Sequence, residues 1–249
     1  MTDPIPTFPA RHACDPAFFA GFALLFATVL AFGFLPDLPA RVAGTRDLPA
    51  PVVHVHAVLF YGWATFFAIQ VGFVRIGRSA THRTLGIFGV VLAAAIIAVG
   101  VTMSLTLAIW HYERGSPRQL GFLIVPLSDM FTFGVLICAA ILKRTDGAAH
   151  KRLMVLASTV LMGAAFGRME MIDLDRLLAA SPIRFLIEVY GPLIVISTLA
   201  ALYDLLTRGR VHSVFLWAMP FILAVQALSS SMVDSHGWRL FAKAALGLT

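Results

Sequence analysis

The chain has 249 residues, of which 59% are hydrophobic and only 13% charged, with a net charge of +6. A water-soluble globule carries about a quarter of its residues as charges, so this composition excludes one and leaves most of the apolar surface to face lipid. The positive balance does not indicate nucleic acid, because the Lys and Arg residues stand in short clusters between apolar runs instead of lining a groove.

Crossing about 30 Å of hydrocarbon takes roughly 20 apolar residues. Residues 1–16 form a polar arm with Asp3, Arg11 and Asp15, and the first apolar run, 17–35, is too long for the core of a cleaved signal peptide. Runs at 52–74, 85–109, 120–142, 152–168, 184–204 and 213–230 follow. The expected fold is therefore an all-α polytopic bundle of seven transmembrane helices over 17–230. The tail, 231–249, contains Trp238-Arg239-Leu240-Phe241-Ala242-Lys243 and reads as an interfacial helix. Cys14 in the arm and Cys138 in an apolar run are too far apart to pair and read as free thiols.

Direction comes from the loops. Arg75, Arg78 and Arg83, then Lys143, Arg144, Lys151 and Arg152, then Arg208 and Arg210 fall in alternate loops, which places those loops and the arm in the cytoplasm and the tail outside. The same loops repeat a pattern of basic residues, a glycine (Gly77, Gly147, Gly209) and a histidine opening the returning helix (His82, His150, His212). This suggests three helical hairpins with one helix added in front. The histidines suit a headgroup zone, or ligands to a metal or heme.

Ionisable residues inside a span are costly and each marks a candidate function. Asp129 lies within the fourth run and Glu188 in the sixth; His54 and His56 open the second, where Gln70 also lies. His56 and Glu188 stand 21 residues before Gly77 and Gly209, and Asp129 stands 18 before Gly147. Under the repeat these three residues share one level of three parallel helices. Nitrogen and carboxylate donors together suit a divalent metal, so His56, Asp129 and Glu188 form a candidate metal site opening outward. Pro126 and Pro192 remove backbone donors beside it and free the carbonyls of Phe122 and Glu188. The competing reading is a structural polar network, in which Arg168 neutralises Asp129 or Glu188, and His54, His111 and Glu170 lie at the outer interface.

Residues 54–86, with His54, His56, Gln70, Arg75-Ile76-Gly77-Arg78 and His82-Arg83-Thr84-Leu85-Gly86, resemble a group of uncharacterised bacterial multi-pass membrane proteins. Pro126-Leu127-Ser128-Asp129, His150-Lys151-Arg152-Leu153-Met154 and Tyr203-Asp204 extend the resemblance over most of 50–215. It implies a bacterial inner membrane and no particular activity. The His-Arg-x-x-Gly element is also faintly similar to b561-type cytochromes, which would imply heme b, although those place paired histidines within helices. The seven-helix layout resembles the membrane hydrolases that include adiponectin receptors and alkaline ceramidases, but their closing His-x-x-x-His is missing here.

Three functions are thus expected to compete. One is a metal-assisted reaction on a lipid-like substrate, with metal-bound water as nucleophile; the second is a redox protein binding heme or quinone. The third is a non-catalytic subunit of a larger membrane complex or homo-oligomer. No P-loop, dinucleotide fingerprint, nucleophile elbow or intramembrane lysine is present.

Overall fold

A computed structural model describes residues 8–37, 39, 43, 51–169, 181 and 183–248. Among these, seven helices are long and apolar enough to cross a membrane. They are α1 (Asp15–Phe34), α2 (Val52–Arg75), α3 (Ser79–Glu113), α4 (Gln119–Leu142), α5 (Gly147–Met169), α6 (Arg184–Arg208) and α7 (Ser213–Val233). A short α8 (His236–Ala245) follows. The chain is an all-α membrane helix bundle.

Local chemistry sets most of the boundaries. Pro16 opens α1, where a missing N–H costs nothing. Asp146 caps α5 by accepting from the Ala148 and Ala149 N–H groups at 3.0 and 3.1 Å. His212 caps α7 through Nδ1, which accepts from Val214 N at 3.1 Å, and Ser235 caps α8. α4 is interrupted at Leu123, beside the Phe122 carbonyl that Pro126 leaves without a helical partner. α6, by contrast, runs through Pro192 as one helix. α3 exceeds the expected span at both ends: its 35 residues rise about 52 Å, so its polar first turn continues the helix beyond the hydrocarbon.

α5 is the centre of the bundle, packed against α1, α4, α6 and α7. Within its apolar 18-residue stretch 61% of residues are buried, against 22–44% for the others, and its mean hydropathy, 1.2, is the lowest of the seven. A helix surrounded by protein does not have to dissolve in lipid, which explains why the innermost helix is the least apolar. Small residues permit its close packing: a Cβ on Gly33 of α1 would lie 2.7 Å from the Cα and carbonyl oxygen of Ala165. On the α2 and α4 side, fully buried Phe133 meets Trp63 edge-on at 5.4 Å. The Trp63 indole N–H in turn donates to Ser158 Oγ of α5 at 3.2 Å.

The three expected hairpins are present as neighbouring pairs, α2–α3, α4–α5 and α6–α7, but their turns differ. Gly77 and Gly209 adopt φ of 77° and 67° after α2 and α6, conformations that favour glycine. Gly147 is the first residue of α5 and has no such role. Gly147 therefore does not mark the depth that Gly77 and Gly209 mark. His56, Asp129 and Glu188 stand 20, 14 and 21 residues before the C-caps Ile76, Lys143 and Gly209. At 1.5 Å per residue Asp129 is about 10 Å nearer the basic end than the other two, so the three do not share a level.

Candidate functional site

Asp129 projects from α4 into the bundle toward α5, where a Cβ on Gly163 would stand 3.6 Å from its Oδ2. Among the described residues it makes no ion pair or hydrogen bond; the nearby polar group that feels its charge is the Tyr190 hydroxyl, which heads a set of hydroxyls. Ser128 Oγ donates to the Val125 carbonyl at 2.8 Å and lies 3.5 Å from the Tyr190 hydroxyl of α6. That hydroxyl donates to Ser229 Oγ of α7 at 3.2 Å. Tyr190 is fully buried and lies within reach of the Asp129 charge. Three helices thus contribute one hydroxyl each to a chain beside a carboxyl. One turn before Ser229, buried Gln226 faces a narrow cleft between α6 and α7 with Ser197 and Leu193, its Oε1 without a partner among the described residues.

The other expected ligands lie elsewhere. Glu188 is about half exposed and pairs with Arg184 of its own helix at 3.6 Å. His56 packs on Phe60 with ring centres 4.1 Å apart, its Nδ1 buried and without a partner among the described residues, with the charge of Arg168 nearby. Among the described residues no three His, Cys, Asp or Glu side chains gather as a metal site requires. The constellation of His56, Asp129 and Glu188 is not assembled, because Glu188 faces out of the bundle and Asp129 sits deeper.

The alternative network also takes a different form. Arg168 does not reach Asp129 or Glu188; it donates to the Ala164 carbonyl at 2.7 Å and lies over the Phe34 ring at 4.5 Å. His54 is exposed and His111 stands edge-on to Trp110 at 4.8 Å. Glu170 lies outside the described residues.

A larger polar network lies at the basic end, and its partners were not visible as pairs in the sequence. Arg152 of α5 donates through Nε to Asp204 Oδ2 at 2.6 Å and through Nη2 to Oδ1. Asp15, at the start of α1, accepts from Lys151 at 2.6 Å, Tyr203 at 2.6 Å and Arg208 at 2.7 Å. Phe8 covers the group, 4.6 Å from the Arg152 guanidinium and edge-on to His212 at 4.6 Å. Burial, reinforced by the Arg152 charge, holds the His212 imidazole below its ordinary pKa, which matches a neutral ring accepting from Val214. The arm and the basic loops therefore share one end. α8 packs at the other, where the Trp238 indole N–H donates to the Leu120 and Gly121 carbonyls at 3.1 and 3.2 Å.

The architecture and its interior polar groups define an integral membrane helix bundle. No protein-family model matches the sequence, and comparison with curated proteins and with solved structures finds no match either.

Proposed function

We propose that this integral membrane protein works through the interior site around Asp129, which takes up and releases a proton beside the hydroxyl chain of Ser128, Tyr190 and Ser229. The supporting observation is a carboxyl facing the bundle interior with, among the described residues, no basic side chain paired to it. A bare carboxylate near the centre of a bilayer costs about 3 kcal/mol on insertion scales, and a proton removes that cost. Ionisable groups in such positions mark proton relays and ion paths, and the hydroxyls provide donors and acceptors next to the carboxyl. In this reading the basic end and the arm are cytoplasmic, in a bacterial plasma membrane.

A metal-assisted reaction on a lipid-like substrate would require Glu188 to leave Arg184 and turn into the bundle, so the proton site has the better support. Infrared difference spectra of the protein in lipid nanodiscs, between acid and alkaline pH, test it. A carboxyl C=O band that titrates and is lost in Asp129→Asn is expected; an unchanged spectrum in that variant overturns the proposal. An absorption spectrum of the same sample separates it from the heme reading.

A further inference from the structure

We propose that His82, His150 and Gln70 bind a single divalent transition-metal ion at the basic end of the bundle, away from the site of Asp129. Three helix ends converge there. Gln70 lies near the close of α2, His82 in the first turn of α3 and His150 in the first turn of α5. The two imidazole rings have centres 6.2 Å apart and nearly perpendicular planes, at 77°. The His82 ring also lies against the backbone carbonyl of Gln70.

Each of the three residues has a lone pair to offer. His150 Nδ1 lies 2.9 Å from the Ala140 carbonyl oxygen. A carbonyl only accepts, so Nδ1 carries the hydrogen and a neutral ring keeps its lone pair on Nε2. Fixing one ring N–H on a backbone carbonyl is how metal-binding histidines are oriented. Among the described residues His82 Nδ1 and Gln70 Oε1 are both buried without a hydrogen-bond partner, and Gln70 is only 8% exposed. Buried polar atoms normally find partners, and one cation between these helices would serve both.

The spacing suits a single ion. Bonds of about 2.0 Å to ring nitrogen put each ring centre about 3.2 Å from the metal, so two imidazoles on one ion have centres about 5–6 Å apart. The observed separation needs to close by an ångström or less. Two imidazoles and an amide oxygen suit zinc, cobalt, nickel or copper better than magnesium or calcium. The set contains no carboxylate, so replacing the amide of Gln70 by one is expected to strengthen binding.

The full chain, purified in detergent and stripped of metal, is titrated with Co2+ and followed by visible absorption, with zinc competition for affinity. One equivalent is expected to bind and to raise the melting temperature. His82→Ala and His150→Ala should each weaken binding at least about tenfold, Gln70→Glu should tighten it, and His54→Ala should leave it unchanged. If an alanine variant does not fold, the gain from Gln70→Glu still decides the matter. Absence of saturable one-to-one binding, or binding indifferent to these substitutions, overturns the site. A Soret band in the purified protein that is lost in His82→Ala would assign the pair to heme iron and overturn it equally.

Discussion

Arg152 and Asp204, 52 residues apart in the chain, grip each other by two parallel hydrogen bonds between α5 and α6, with side chains only 3% and 1% exposed. Asp204 also accepts from the His212 backbone N–H at 3.3 Å and lies 3.5 Å from Arg208. Around this pair the basic ends of α5, α6 and α7 are registered with one another.

Removing one partner of such a pair leaves a charge buried alone, at a cost of about 3–5 kcal/mol. Asp204→Leu and Arg152→Met are each expected to lower the melting temperature in detergent sharply. The double substitution Arg152→Met with Asp204→Leu should recover much of the loss, because it leaves no orphaned charge. A double variant as unstable as the sum of the singles would show that the pair contributes no coupling.

Acid should loosen the same region through His212. Its folded pKa lies below the ordinary 6.5, so the neutral form contributes stability that is present above 6.5 and lost as pH falls through the lower folded value. Protonation also gives Nδ1 a hydrogen where it must accept from Val214 N. Melting temperature is expected to fall from pH 7 to pH 5, and His212→Asn, which caps without titrating, should flatten that slope. An identical slope in the variant would place the acid sensitivity elsewhere.

The seven spans were legible in the sequence because the thickness of hydrocarbon imposes a length and a composition that no packing detail can hide. The ends of α3 were not, since Thr81, His82, Arg83 and Thr84 are polar yet helical, and hydropathy reports the solvent of a segment, not its backbone. Asp129 was legible as a candidate by its cost alone. Its neighbours Tyr190 and Ser229 were not: hydroxyls carry little hydropathy signal, and which of them face inward depends on how α6 and α7 are rotated about their axes. The triad failed for a related reason. Gly147 starts a helix where Gly77 and Gly209 end one, so similar spacing to a glycine did not mean equal depth. Arg152 and Asp204 were read as parts of separate segments, since a long-range pair leaves no local pattern.

Topology can be read with the natural thiols. Cys14 and Cys138 are both free, and Cys14 stands beside Asp15 at the end that holds His82, His150 and His212. In a Cys138→Ser background, a membrane-impermeant maleimide is expected to label Cys14 only after the membrane is opened. A cysteine introduced at Gly115, in the turn after α3, should be labelled in intact cells. Labelling of both positions from the same side would end the proposed orientation.

Two glycines that face neighbouring helices should respond oppositely to one added methyl group. A Cβ on Gly33 meets the Cα, Cβ and carbonyl oxygen of Ala165 at 2.7 Å. The backbone atoms among these cannot swing aside, so α1 and α5 must separate. Overpacking of this kind costs about 1–3 kcal/mol, more than the roughly 1 kcal/mol that alanine gains over glycine within a helix. Gly163 differs: its Cβ would stand 3.4 Å from Leu193 Cδ1 and 3.6 Å from Asp129 Oδ2, contacts that side chains absorb by small rotations. Gly33→Ala is therefore expected to lower the melting temperature, and Gly163→Ala to leave it unchanged or raise it. Because the new methyl lies against the carboxyl, Gly163→Ala should also alter the infrared titration of Asp129 while the fold stays intact. Equal destabilisation by the two substitutions would contradict the close approach of α1 to α5, and an unaltered titration would place the Asp129 carboxyl away from Gly163.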